Sequence, residues 1–112
     1  AMSFSERFDS YRSFDNWVQR CVRKFYYHLR DNQVELSDPR YPTRAPSAFR
    51  PRWRFEGYEF GEDGLVLHGC EYHMGDYIGG KGVVPMCDFL EFAEHQWELD
   101  NFDQKLGEDT DG

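Results

Sequence analysis

From Phe14 to Leu29, apolar residues recur at spacings of three and four: Phe14, Trp17, Val18, Cys21, Val22, Phe25 and Leu29. That period belongs to an α-helix with one buried stripe. Ser13 reads as its N-cap, and Asp15 suits the positive first turn. The opposite face carries Arg20, Arg23, Tyr27 and Arg30, with Lys24 and Tyr26 flanking them. A second helical pattern starts at Pro85, which suits a first turn, and runs to about Phe102. Its main stripe is Met86, Phe89, Leu90, Ala93 and Trp97. At about 100° per residue, its reverse face gathers Asp88, Glu91, His95 and Glu98 with Phe92, Leu99 and Phe102.

Between the helices the period changes to two. Arg52–Phe60 and Leu65–His73 read as strands, joined by a turn at Gly61-Glu62-Asp63-Gly64. The alternation shifts phase at Gly57, which points to a bulge. Val34–Leu36 and Val83–Val84 are candidates for further short strands. Ser37–Pro51 holds four prolines and reads as a long irregular connection. Gly75–Gly82 holds four glycines and reads as a loop. The expected fold is therefore α+β: a small antiparallel sheet of two to four strands, with an N-terminal and a C-terminal helix packed on it.

A chain of 112 residues supports one core, here residues 1–103, with an acidic, frayed tail at 104–112. Twenty aromatic residues argue for a folded domain over a disordered one. No apolar run is long enough for a membrane span, and residues 1–5 lack the basic and apolar regions of a secretory signal. Three widely spaced cysteines, Cys21, Cys70 and Cys87, do not form a secreted disulfide framework, so a reducing cytoplasm is expected.

Charge changes this picture most. Residues 1–55 carry 11 Lys and Arg against 6 Asp and Glu, whereas residues 56–112 carry 2 against 15. Such segregation points to a charged partner.

Candidate chemistry is thin. His68, Cys70, His73 and Cys87 are residue types that zinc takes, but no Cys-x-x-Cys pair exists and His73 points away from His68 and Cys70 on a strand. These read as a buried thiol and surface histidines, with no metal and no cofactor. An activated thiolate needs a nearby base or a positive field, and the acidic surroundings of Cys87 oppose one. Asp88, Glu91 and Glu98 share a helix face as a magnesium cluster would, yet a solvated acidic face has the same spacing. Gly79-Gly80-Lys81-Gly82 lacks the Ser or Thr of a phosphate loop. No catalytic signature is present.

Two binding surfaces remain. Arg50, Arg52 and Arg54, on one strand face beside Trp53, form a candidate nucleic-acid site. Against it, the net charge of −8 repels a polyanion. On the second helix, Asp88, Glu91, Glu94 and Glu98 with Phe92 and Leu99 form a candidate partner-binding face for a basic protein, or for a second copy in a homodimer.

Trp53-Arg-Phe55-Glu-Gly57-Tyr58-Glu-Phe60, the Gly61–Gly64 turn and the carboxylates from Asp88 to Asp111 give residues 53–112 a compositional character of their own. In it the chain resembles the small acidic proteins that bacteriophages encode to disable host defence, anti-CRISPR inhibitors among them, or host nucleic-acid enzymes. The resemblance implies a non-catalytic inhibitor in the host cytoplasm, bound to a protein with a basic nucleic-acid-binding surface. An immunity protein for a toxin nuclease would use the same face.

Overall fold

The structure is a computed structural model describing residues 4–110, with side chains as far as Asn101. It shows an α+β domain. Helix α1 (Tyr11–Asp31) is followed by strands β1 (Arg54–Gly61), β2 (Gly64–His73) and β3 (Asp76–Val84), then by helix α2 (Met86–Thr110). The strands form an antiparallel sheet in the order β1-β2-β3.

α1 starts one turn earlier than the apolar pattern alone predicts. Ser10, not Ser13, is the N-cap, and its hydroxyl accepts the Ser13 backbone N–H at 3.1 Å. At the other end the Gln33 N–H reaches the Arg30 carbonyl and the Val34 N–H reaches that of Leu29, with Gln33 at φ 51°. This pair of bonds is a Schellman closure, which satisfies carbonyls the helix would otherwise strand. Of the expected stripe, Trp17, Cys21, Val22, Phe25 and Leu29 are buried and Phe14 and Val18 half-buried, and there is one addition. Tyr26, placed by periodicity beside the basic face, has no exposed surface at all.

β1 and β2 pair as the expected hairpin, β1 starting at Arg54 rather than Arg52, with the expected irregularity between Phe55 and Gly57. Their ladder closes at Gly61↔Gly64, leaving Glu62-Asp63 as the turn. On β2, Leu65 and Leu67 point into the core under the helices, while His68, Cys70 and Tyr72 alternate to the other face.

The glycine-rich stretch is where the sequence reading fails. Gly75–Gly82 is not a loop; all but Gly75 belongs to β3. Gly80 pairs across the sheet with Gly69, which makes a strip without Cβ atoms on the helix-facing side. The ring of Tyr26 lies on Gly69, and the indole of Trp53 lies on Gly80. Glycine here supplies room for close approach rather than backbone freedom. The Val34–Leu36 strand is reduced to a single bridge, Leu36↔Ser47, which pins the base of the proline-rich loop. Phe49, 5% exposed, anchors that loop in the core.

α2 extends past the expected end near Phe102 to Thr110. Phe89 and Ala93 are buried, and Met86 and Trp97 are half-buried against the core. Leu90, read as part of the same stripe, stays 45% exposed. A short 3-10 turn, Phe4–Arg7, leads into a cluster in which Phe4 and Phe8 pack on Trp17, and Phe8 also meets Trp97. No helix among the described residues is long and apolar enough to cross a membrane.

Candidate partner-binding surface

The acidic face of α2 resolves into residues with different surroundings. Asp88, Glu91 and Glu98 are exposed. Among the described residues, no salt bridge joins them to Arg20, Arg23, Arg52 or Arg54. Glu94 differs. Both its carboxylate oxygens accept hydrogen bonds from the Arg7 guanidinium, at 3.1 and 3.3 Å. Arg7 also sits over the rings of Phe4 and Trp97, so this pair ties the N-terminal segment to α2. Asp100 accepts the Trp17 indole N–H at 3.4 Å. Glu94 and Asp100 thus hold the fold, and Asp88, Glu91 and Glu98 face solvent.

The apolar members of the face divide in the same way. Phe92 is a core contact rather than an outward anchor: its ring lies 4.9 Å from Phe25 and 5.6 Å from His28. Leu99 remains 45% exposed. Phe102 lies beyond the described side chains. The N-terminal aromatics do not cover this face; they pack on the opposite flank of α2, around Trp97. Beside the ridge runs a trough of about 610 Å³ lined by His28, Val34, Asp88, Glu91, Phe92 and His95. Apolar walls next to carboxylates suit the stem and head of a long basic side chain.

The arginine-rich candidate is rearranged. Arg50 and Arg52 lie in a turn before β1, closed by the Trp53 N–H on the Arg50 carbonyl at 3.0 Å. Only Arg54 is on the strand, so the three arginines do not share a strand face. Trp53 is also committed inward. Its ring covers Gly80, its carbonyl accepts from the Tyr26 hydroxyl at 3.0 Å and from Arg30 at 3.2 Å, and its indole N–H is buried. One face of the indole is thus taken up by the sheet, and the Arg50 guanidinium lies over the ring at 5.4 Å.

The His and Cys residues are dispersed. His68 and Cys70 share the open face of the sheet, His73 ends β2, and Cys87 is on α2 with its thiol 3.8 Å from Asp88. Among the described residues, no three His, Cys, Asp or Glu side chains gather as a metal site requires. Burial, with Asp100 nearby, pushes the Cys21 thiol up to about 11. Burial and Glu56 also raise that of Cys70. Neither is poised as a thiolate.

Sequence reasoning missed two apolar features. One is a hollow of about 480 Å³ where the start of α1, the end of β1 and the first turns of α2 meet, with Tyr11, Phe60 and Leu90 exposed around it. A periodic stripe marks Leu90 as apolar but does not say where the neighbouring element stops. The other is Met74, at the tip of the β2–β3 hairpin and 91% exposed. The sequence did not mark it, because the two-residue turn exists only once Asp76–Val84 is known to be a strand. No protein-family model matches the chain, and neither a curated protein nor a solved structure matches it.

Proposed function

We propose that this protein is a non-catalytic binding protein whose α2 ridge docks on a basic protein surface, of the kind that holds nucleic-acid phosphates in a processing enzyme or defence complex. The observation that carries this reading is that, among the described residues, no salt bridge ties Asp88, Glu91 or Glu98 to an arginine. Carboxylates serving only to balance the basic half would be paired with it. Leu99 and the trough beside Phe92 supply apolar contact next to those charges. Charges at the rim would steer and orient the encounter, and the apolar contacts would slow release.

Reversing Glu91→Lys and Glu98→Lys together is expected to abolish capture of the partner from a bacterial lysate while the melting temperature stays close to that of the wild type. Wild-type capture is expected to weaken steadily with added salt, because these charges are exposed and screened. Full-strength capture by the reversed protein would remove the ridge as the contact. A mobility shift with mixed oligonucleotides is expected to show no complex; a shift lost on Arg52→Ala with Arg54→Ala would favour direct nucleic-acid binding instead.

A further inference from the structure

The fold leaves an apolar protrusion and an apolar hollow uncovered on the same chain. The protrusion is the β2–β3 tip. The ladder ends at His73↔Asp76, and Met74-Gly75 make the turn with φ of 53° and 87°. Two positive φ values in a two-residue hairpin belong to a type I′ turn, which favours Asn-Gly or Gly-Gly. Methionine is a poor choice for such a backbone. With 91% of it exposed, it gains no packing inside the chain in return. Tyr72 and Tyr77 stand on either side, 72% and 53% exposed, with their rings 5.6 Å apart. Tyr77 is fixed by donating its hydroxyl to Glu56 at 2.5 Å. The tip thus presents Met74 between two tyrosines, with His73 and Asp76 at the base of the turn.

The hollow is its counterpart. Its walls include Phe14, Tyr58 and Phe89, with Tyr11, Phe60 and Leu90 exposed around it, and Asp15 is the only charged residue lining it. Six of the eight exposed large hydrophobic residues of the described chain belong to these two places. Aromatic walls favour a thioether, because sulfur–ring contacts are attractive and methionine adapts to irregular space.

We propose that the protein associates with itself, the Met74 tip of one copy seating in the Tyr58–Phe60–Leu90 hollow of another. Charge selects this contact over others between copies. A chain of net charge −8 repels itself, most of all across the α2 ridge. Tip and hollow bring fewer carboxylates together than two ridges would: Asp76 beside the turn, Glu56 behind Tyr77, and Asp15 in the hollow. Burying the six exposed side chains removes on the order of 800 Å² from water at roughly 200 Å² per full side chain. With their polar neighbours, this approaches the roughly 1,000 Å² at which specific interfaces begin.

Sedimentation equilibrium on the full chain tests it. The wild type is expected to show a mass rising with concentration above the 13.4 kDa of one copy. Met74→Glu and Phe60→Glu are each expected to stay at the monomer mass. An equal mixture of the two is expected to regain association, since one keeps the hollow and the other keeps the tip. Met74→Gly separates this role from a structural one: it relieves the turn, so the melting temperature holds or rises, while the dissociation constant weakens at least tenfold. A wild type that stays monomeric at several hundred micromolar would overturn the proposal. So would variants that associate as tightly as wild type, or a mixture of folded variants that stays monomeric.

Discussion

The helix-facing side of the sheet has two ends that solve the packing problem in opposite ways. At the Gly69–Gly80 end, two of the three strands carry no side chain and two aromatic rings descend onto the backbone itself. Tyr26 reaches zero exposure there and still satisfies its hydroxyl on the Trp53 carbonyl. At the Tyr58–Phe60 end, large side chains rise from β1 to meet α1 and α2, and the three elements diverge around a hollow. Small residues below large ones give a closed joint, whereas large residues on every side leave gaps. Stability is therefore concentrated at the glycine end, and the opposite end is free to serve as a surface.

The sharpest way to break that contrast is Gly69→Ala. A Cβ at this position collides with the hydroxyl oxygen of Tyr26 and comes within 3.0 Å of the ring carbon that bears it, and that side chain is sealed in the core. Overpacking of this kind is expected to cost about 3 kcal/mol, the upper end for one added carbon. Guanidinium unfolding monitored by tryptophan fluorescence reads it directly. A loss below about 0.5 kcal/mol would mean that the ring does not rest on the sheet.

Tyr26→Phe sharpens the same joint from the other partner. It removes the hydroxyl but leaves Arg30 on the Trp53 carbonyl, so the expected cost is about 1 kcal/mol, that of one net hydrogen bond. pH adds a second reading. Burial holds the Tyr26 phenol protonated, pushing its pKa up to about 12 from an ordinary value of 10. The folded state then binds a proton that the unfolded chain has already lost. The resulting stability is complete below pH 10 and disappears as pH rises toward 12. Tyr77, raised to about 12 by its hydrogen bond to Glu56, acts in the same direction at an exposed site. The alkaline decline in stability is expected to shrink in Tyr26→Phe, and an unchanged decline would place its cause elsewhere.

At the open end the expected effect is smaller. Leu90→Ala removes a side chain already 45% exposed and replaces it with the best helix former. A loss of at most about 1 kcal/mol is expected from thermal melting, well below that of Gly69→Ala. Equal losses would erase the distinction between the two ends.

Much of this fold was written in local periodicity, and what was not written there has a common cause. Both helices, the first hairpin and its bulge at Gly57 follow from spacing alone, because each depends on residues close in sequence. Only the Val83–Val84 end of the third strand did, since Gly80 and Gly82 fit a strand only once Trp53, Leu36 and Phe49 are known to lie on it. Tyr26 was misplaced for the same reason: its partner, Gly69, is far along the chain. The candidate surface shows a similar limit. Helical spacing gathered Asp88, Glu91, Glu94 and Glu98, but only the tertiary structure separates Glu94, held by Arg7, from the other three. Phe92 looked outward until α1 was brought against it.

The ridge itself provides the control with the smallest expected effect. Glu91 and Glu98 lie outside both ends of the sheet, with no salt bridge among the described residues. Neither is in the first turn of α2, where a carboxylate would gain from the helix dipole. Replacing both with lysine also lowers the net charge from −8 to −4, which reduces self-repulsion. The two changes together should therefore move unfolding stability by no more than about 0.5 kcal/mol, as surface substitutions usually do. A stabilising shift of that size would still fit, since relieved repulsion acts in that direction. A loss of 2 kcal/mol would mean that these carboxylates hold the fold as Glu94 does, and that the exposed ridge is a structural element rather than a surface kept for a partner.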